Sequence, residues 1–224
     1  MTVKSLDWKR KFEMNQDVAT YSDVVFNTML IGDTTNGITL DATNGIRYHG
    51  NTTTFSDIQV PLSAATVVTN PQPTFSLFRS SIYAYAFSGN LVNTVAFTTQ
   101  LPHAYKEGST LFPHLHCAFD AVPTIGQTVA LQFSYTLTNI GDIIQAGTVQ
   151  PTITYTISAS DVQYKHFMLS LAPISGTGIL ISALMNGVLS RLGNTDTSNA
   201  DLFIFEFDLH YEIDSLGSNT TDVK

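Results

Sequence analysis

The sequence is poor in charge, in basic residues and in cysteine. Only 12% of its 224 residues are charged, and 18 acidic residues outnumber 10 basic ones, giving a net charge of −8. Phosphate groups are bound by clustered Lys and Arg, so this balance argues against a nucleic-acid or anionic-membrane surface. The single cysteine, Cys117, excludes an intrachain disulfide and a cysteine-based zinc site.

Several sequence signals for other classes of protein are also missing. No apolar run reaches the length of about 18 residues that a membrane-spanning helix needs. The residues after Met1 lack the apolar segment of a signal peptide, so we expect a protein made in a cytoplasm that stays soluble there. The serine-hydrolase, zinc-protease and phosphate-loop motifs are absent, so we predict that the protein is not an enzyme and uses no cofactor.

What the sequence has instead is a large uncharged fraction. Hydrophobic residues make up 43% of the chain, and Thr, Ser, Asn and Gln supply most of the remaining polarity. β-Branched residues favour strands. Surfaces with few charges tend to self-associate, so the composition favours an oligomer that buries uncharged surface between its subunits.

Short apolar runs separated by Pro, Gly, Asn and Ser indicate an all-β fold. Residues 129–138 alternate apolar and polar side chains, which is typical of an antiparallel strand with one buried face. Residues 203–210 show the same period, with Phe203, Phe205, Phe207 and Leu209 on one side. Residues 178–192 also fit a helical period, but the Gly187 interruption favours a strand. We predict an antiparallel, jelly-roll-like β-sandwich.

We divide the chain into three regions. Residues 1–31 carry the only Trp and the densest positive charge, and predict either a short amphipathic helix or an extended arm. Residues 32–54 contain two Asn-Gly pairs, a strong turn signal, and predict a short β stem or a plain meander. Residues 55–224 form the predicted sandwich head.

The densest group of chemically distinctive residues is the segment 101–116, read as LPHAYKEGSTLFPHLH. His114 and His116 are two positions apart, so on a strand they lie on the same face. They could bind a metal with a third ligand from elsewhere; the candidates are His103, Glu206, Asp208 and His210. We prefer an architectural role, in which the histidines hydrogen-bond to neighbouring strands, and predict no metal.

Two other charged groups have competing interpretations. Lys106, Glu107 and Gly108 form a predicted turn whose charges are either solvated or paired between subunits. Glu206 and Asp208 could act as paired carboxylates of a glycosidase. Because they alternate with apolar residues, we interpret them as the exposed side of an outer strand.

Three blocks of the sequence share features with one set of motifs. Residues 54–62 read TFSDIQVPL, residues 102–116 contain PHAYKEG…PHLH, and residues 207–218 read FDLHYEIDSLGS. These blocks resemble, in that order, the W-D-D-L-R-x-P motif, the PHxYKEG…PHxHW signature and the D-x-H-Y-x-x-D-x-x-G-S close of a family of virion structural proteins of tailed bacteriophages. The sequence departs from the family at Cys117, where the signature has Trp, and in the first block. There Phe55 and Ser56 replace Trp and Asp, and Gln59 replaces an Arg, which removes an ion pair that the resemblance implies.

The resemblance covers residues 54–224 and implies a trimeric jelly-roll-like domain on the virion surface, as a head fibre, decoration, collar or tail component. Residues of the matching blocks are predicted to shape the oligomer or the architecture: Pro102, His103, Lys106, Glu107, Gly108, Pro113, His114, His116, Asp208, His210, Tyr211, Asp214 and Gly217. Residues of the arm are predicted to attach it to the virion: Trp8, Lys9, Arg10, Lys11 and Phe12.

The sequence therefore predicts a phage virion structural protein, synthesised in the host cytoplasm and located in the virion. Its predicted partners are two further copies of itself and capsid, collar or tail proteins, with no nucleic acid and no membrane insertion. One alternative is a receptor- or glycan-binding module on the virion that recognises the host surface. A glycan-degrading enzyme is the remote alternative.

Overall fold

The computed structural model describes residues 28–42 and 45–221 of the chain. In this part of the chain fifteen β-strands are present, no α-helix occurs, and two 3-10 turns lie at Gly50–Thr52 and Leu62–Ala64. Nothing helical in the same residues is long and apolar enough to cross a membrane. The strands pair in an antiparallel manner, which confirms the predicted all-β sandwich class.

The strands are numbered in chain order. They are β1 (Thr28–Gly32), β2 (Gly37–Asp41), β3 (Gly45–His49), β4 (Thr54–Pro61), β5 (Thr66–Val67), β6 (Thr74–Arg79), β7 (Ile82–Phe87), β8 (Val92–Gln100), β9 (Phe112–Phe119), β10 (Thr128–Thr138), β11 (Thr148–Val149), β12 (Ile153–Thr156), β13 (Phe167–Ser170), β14 (Leu184–Leu192) and β15 (Leu202–Ile213).

These strands form three sheets. The first is the meander β1-β2-β3. The second, called sheet B here, has the order β13-β9-β15-β7-β6, with β4 also paired to β15. The third, sheet C, has the order β11-β10-β14-β8-β5, with β12 also paired to β10. β15 is the central strand of sheet B because it is flanked by β9 on one side and by β4 and β7 on the other. The interpretation of Glu206 and Asp208 as the exposed side of an outer strand is therefore wrong, and Asp208 is buried.

Sheets B and C pack face to face around one main core. Phe207 of sheet B lies with its ring centroid 4.6 Å from that of Phe97 and 5.1 Å from that of Phe133, both in sheet C. Gly187 is required in this layer, since a Cβ atom there would lie 2.5 Å from the ring of Phe97. Burial of these aromatic rings supplies the main hydrophobic stabilisation of the sandwich.

The predicted strand at residues 129–138 is confirmed, including which face is buried. Val129, Leu131 and Phe133 are buried in the core, and Tyr135 and Leu137 pack against it. The preference for a strand over a helix at residues 178–192 is also confirmed, although the strand β14 begins only at Leu184.

The alternation predicted for residues 203–210 is wrong at its start. The register shifts between Ile204 and Glu206, so a β-bulge at Phe205 interrupts the period of two. Ile204, Phe207 and Leu209 consequently face the main core, whereas Phe203 joins a second cluster. That cluster lies on the outer face of sheet B and also contains Phe78, Ala84, Ala86 and Ala118.

In the meander at residues 28–49, a turn stabilised by the Asp33 side chain joins β1 to β2. The Asp33 carboxylate accepts hydrogen bonds from the backbone N–H groups of Thr35 and Asn36, each at 2.7 Å, and these bonds lower the pKa of Asp33. The meander joins the head through Tyr48, whose N–H donates to the carbonyl of Asp214 at 2.7 Å. Whether it acts as a stem stays a prediction.

Most of the predicted N-terminal arm falls outside the described residues. This applies to residues 1–27 and therefore to all five predicted attachment residues, Trp8 to Phe12. Residues 28–31 of the predicted arm lie in β1, so this part of the region is a strand and not a helix.

Candidate functional site

Histidines and carboxylates converge on the outer face of sheet B, on strands β4, β9 and β15. Asp208 on β15 is directly opposite His114 on β9, and Glu206 is opposite His116. On the other edge of β15, Asp57 and Gln59 of β4 lie opposite His210 and Asp208. We call His114, His116, His166, Asp208 and His210 the histidine cluster.

The centre of the histidine cluster is formed by three side-chain atoms. The Nε2 atoms of His114 and His116 are 3.2 Å apart, and lie 3.4 Å and 3.6 Å from Oδ2 of Asp208. His114 and Asp208 are buried, with 4% and 3% of their surface exposed, whereas His116 is half-buried. Burial lowers the pKa of His114 and outweighs the opposing effect of Asp208, so the neutral imidazole is favoured.

The remaining members surround this centre. His116 Nδ1 lies 2.7 Å from Nε2 of His166, which immediately precedes β13. His210 packs edge to face on His114 at 4.4 Å between ring centroids, and its Nε2 atom lies 2.9 Å from Oδ1 of Asp57. The pKa of Glu206 is raised, first by burial and second by the charge of Asp208.

The structure brings together part of the ligand set that the sequence offered. Asp208 and His210 lie beside His114 and His116, and Glu206 is on the same face. His103 does not join them, because its ring bonds Ser218 and Ser182 instead. Sequence reasoning missed Asp57 and His166, since no local pattern links either residue to the histidine pair.

The remaining residues of the predicted architecture motif meet at the end of β15. Lys106 pairs with Glu212 at 2.7 Å, and its N–H donates to the Glu212 carbonyl at the same distance. Glu107 accepts a hydrogen bond from the N–H of Ile181 at 3.0 Å. Gly108 adopts a positive φ of 79° in the turn. Lys106 and Glu107 therefore have partners within one chain.

Of the other motif residues, Pro113 lies on β9, and the rest lie near the same junction. The carbonyl of Pro102 accepts a hydrogen bond from the Tyr105 N–H, and that of Pro113 accepts one from Leu171. Asp214 bonds the carbonyl of Ala104 through its N–H. The Gly217 carbonyl accepts a hydrogen bond from the Ser215 hydroxyl, and Tyr211 is buried against Tyr105.

Cys117 and Gln59, two of the positions that depart from the motifs of the phage family, lie on opposite faces of sheet B. Cys117 faces the core opposite Phe167, and burial raises the pKa of its thiol, so the thiolate is disfavoured. Gln59 faces outward, directly opposite Asp208. An Arg at position 59 would therefore lie opposite the buried Asp208 carboxylate. In this chain the residue opposite that carboxylate is the neutral Gln59.

The outer face of sheet C is chemically different. Its outward-pointing positions, called the neutral face, carry no Asp, Glu, Lys or Arg. They are Thr66, Val92, Thr94, Ala96, Thr98, Gln100, Ala130, Gln132, Ser134, Thr136, Thr138, Val149, Thr154, Thr156, Leu184, Asn186, Val188, Ser190 and Leu192. Arg191, the one charged residue in these strands, points inward and pairs with Asp196 at 2.9 Å.

No protein-family model matches the chain, and no curated protein sequence matches it. Solved structures similar to the chain share little sequence with it. The dimeric latent PorU from Porphyromonas gingivalis is 9% identical, with a TM-score of 0.36 over 72% of this chain and 13% of that one. The infectious bursal disease virus Gx strain structure is 10% identical, with a TM-score of 0.35 over 85% and 37%.

A third similar structure is TmCBM61 in complex with β-1,4-galactotriose. It is 11% identical, with a TM-score of 0.28 over 69% of this chain and 86% of that one. The chain spans well under two thirds of the first two structures. Similarities this weak do not indicate a function.

Proposed function

We propose that the protein is a structural component of a virion that assembles with further copies of itself, as a trimer, through the neutral face of sheet C. The observation that carries the proposal is the absence of charged side chains from the outward positions of this sheet. Burying a charge without a partner is costly, and the cores of protein interfaces are depleted in charge. A neutral face avoids that cost.

The polar groups of this face are already partly paired with each other. The hydroxyls of Thr94 and Ser190 lie 2.9 Å apart across β8 and β14. Thr98 donates to Asn186 at 2.9 Å, and Asn186 donates to Thr136 at 3.3 Å. Groups that bond within the sheet lose less when water is removed. The neutral face can therefore be covered without leaving these hydroxyls unsatisfied.

The size of the face matches that of a stable interface. Its six strands, β5, β8, β10, β11, β12 and β14, have 2, 9, 11, 2, 4 and 9 residues. With a strand spacing of ~4.8 Å and a rise of ~3.3 Å per residue, they cover roughly 600 Å². Stable complexes bury about 800 Å² per partner, so adjoining loops would have to supply only a minor share.

The virion assignment rests on the resemblance to the phage family. Its three blocks are far apart in sequence, but β4, β9 and β15 are adjacent strands of sheet B, and the 102–109 segment is bonded to the end of β15. The blocks thus form one contiguous piece of the domain, as expected if they preserve one architecture. If the chain is part of a virion, mass spectrometry should detect it in particles purified from a culture that carries its gene.

The experiment that tests the assembly surface is sedimentation velocity on the full chain and two matched variants. Val188→Lys introduces a charge at the centre of the neutral face, and Val122→Lys introduces the same charge at a loop position that is 76% exposed. We expect the wild type and Val122→Lys to be trimers and Val188→Lys to be a folded monomer, with folding checked by circular dichroism. A Val188→Lys trimer would contradict the proposal.

A second candidate function, host-glycan binding on the virion, is favoured by one observation. Phe75 and Tyr83 on strands β6 and β7 are 51% and 56% exposed, with stacked rings 6.1 Å apart. Exposed aromatic rings can pack against sugars. A glycan array probed with wild type and Tyr83→Ala tests this candidate: binding that Tyr83→Ala abolishes would support it. That the protein is not an enzyme remains a prediction.

A further inference from the structure

The structure carries an unusual buried carboxylate on the outer face of sheet B. Asp208 is 3% exposed, and its Oδ1 atom has no hydrogen-bond partner among the described residues. Its Oδ2 atom is 3.4 Å and 3.6 Å from the nearest imidazole nitrogens, which is longer than an ordinary N–H···O hydrogen bond. A buried carboxylate without close donors is destabilising unless a cation compensates it.

The donor atoms around Asp208 have the spacing of metal ligands. Nε2 of His114, Nε2 of His116 and Oδ2 of Asp208 are separated by 3.2, 3.4 and 3.6 Å. Ligands about 2.0–2.1 Å from a tetrahedral Zn²⁺ ion are about 3.3–3.4 Å from one another. The three atoms therefore match one triangular face of a zinc coordination tetrahedron.

From this geometry we propose that His114, His116 and Asp208 bind a divalent transition-metal ion, with Zn²⁺ the best match. Two imidazoles and one carboxylate are a donor set that suits Zn²⁺ and the neighbouring first-row ions. The fourth position is left for water or another ligand, since no fourth donor of the described residues lies within 4.8 Å of all three atoms. Asp208 also belongs to a second, overlapping group of donors with Asp57 and His210, of which Asp57 is exposed. The proposal does not rest on the proposed virion function.

The surroundings of the site fit the requirements of a metal centre. His116 approaches His166 through Nδ1 at 2.7 Å, which leaves its Nε2 atom for the ion and fixes the orientation of the ring. A largely apolar surface pocket of about 440 Å³ lies beside His116 and reaches neither His114 nor Asp208; it is lined by Phe78, Ile82, His116, Ala118, Tyr164, His166, Phe205 and Glu206. Of the three donors, His116 is therefore the one that this pocket exposes to solvent.

The backbone holds the donors in place before an ion arrives. His114 and His116 lie on β9, and Asp208 lies opposite His114 on β15, in the continuously paired segment that follows the bulge at Phe205. Because donors on paired strands move little, the site is largely preformed. Ion binding should then add stability without rearranging the sheet.

The test is isothermal titration calorimetry of the full-length protein with ZnCl₂ after removal of metal by EDTA. The wild type should bind one ion per chain and gain thermal stability when it does. Titration with Co²⁺ should give the visible absorption of a four-coordinate ion. His49→Gln is the control, because His49 bonds Thr39 in the meander, away from the cluster.

Two ligand variants decide the outcome. Asp208→Asn and His116→Gln should lose the stoichiometric binding and the thermal shift while keeping the strand signal in circular dichroism. Metal-free Asp208→Asn should melt higher than metal-free wild type, which a purely structural hydrogen-bond role for Asp208 would not produce. His166→Gln should weaken affinity by about 10–100-fold, as loss of a supporting hydrogen bond does.

Two results would overturn the proposal. The first is a wild-type protein that binds no stoichiometric ion and shows no thermal shift. The second is a wild-type affinity that is retained in Asp208→Asn and His116→Gln, which would place the ion elsewhere on the surface.

Discussion

The outer faces of the two sheets differ in where they place charge. The outer face of sheet B carries Asp57, Glu206, Asp208 and the histidine cluster, while the neutral face of sheet C has no charged residue. Sheet C turns its one charge, Arg191, inward. The strands of both sheets point their side chains alternately inward and outward, but the two outer faces differ chemically.

The difference indicates separate tasks for the two faces. A face without charge can be buried against another copy at little electrostatic cost. A face with buried carboxylates needs cations close by, supplied either by the chain or by solution. The chain itself supplies a cation to the buried Asp196 carboxylate, namely Arg191. Asp208 has only imidazole nitrogens at 3.4 and 3.6 Å, so its cation would come from solution. Each arrangement can be altered by a single substitution.

We expect the largest effect from the removal of Arg191, the charged residue that points inward from sheet C. Arg191 is fully buried, bonds Asp196 at 2.9 Å and donates to the carbonyls of Phe87, Ala200 and Ser198. Arg191→Leu leaves the buried Asp196 carboxylate without its cation and should destabilise the fold by about 3–5 kcal/mol. Urea unfolding measures this change in free energy.

The matched control is Arg79→Leu at the edge of sheet B. Arg79 is exposed and lies over the Tyr164 ring at 4.5 Å, so its loss should cost about 0.5–1 kcal/mol. Equal losses for the two variants would contradict the account of Arg191 as a compensated buried charge.

A smaller effect is expected from adding a cation to sheet B. Gln59→Arg places a guanidinium opposite Asp208 and should stabilise the metal-free protein by about 1 kcal/mol through a charge-assisted hydrogen bond. It should also weaken Zn²⁺ binding, because the Arg and the ion compete for the same carboxylate. Thermal melts with EDTA and with ZnCl₂ measure both changes.

The control for that substitution is Gln145→Arg in an exposed loop. It adds the same charge to the protein but lies outside the sheets, so stability and ion affinity should stay at wild-type values. A Gln59→Arg variant that is no more stable than Gln145→Arg would contradict the view that Asp208 lacks a cation.

The smallest effect is expected for the half-exposed ion pair between Lys106 and Glu212, at the end of β15. The Lys106 ammonium bonds Glu212 and lowers the pKa of this carboxyl below its ordinary value of 4.5. Because the native pKa is lowered, the stabilisation is present above about pH 4.5 and disappears as pH falls through the native pKa. For a half-exposed pair it should amount to about 0.5 kcal/mol.

Unfolding of wild type and Glu212→Gln at about pH 6 and about pH 3.5 measures this pH dependence. The wild type should be the more stable at the higher pH, and the difference should be smaller at the lower. Lys106→Met should show the same pattern. A difference that does not shrink as the pH is lowered would mean that Glu212 contributes through packing and not through charge.

Local patterns in the sequence predicted the strands well. The alternation at residues 129–138 predicts both the strand β10 and its buried face. Such a strand is stable only when its apolar side faces the core and its polar side faces outward. The bulge at Phe205 could not be predicted, since all residues from Phe203 to Phe205 are apolar and either side could face the core.

The candidate site was only partly predictable. The i, i+2 spacing places His114 and His116 on one face, but the approach of Asp208 depends on the pairing of β9 with β15, ninety-odd residues apart in the chain. His166 and Asp57 come from two further segments, so no local signal marks them. The neutral face is likewise visible only when the register of the strands of sheet C is known.

The most direct test of self-assembly through the neutral face is the molar mass of the purified full chain across a dilution series, measured by light scattering. We expect a mass three times that of the single chain, maintained on dilution. A mass equal to that of one chain, with the strand signal and cooperative unfolding intact, would contradict the account.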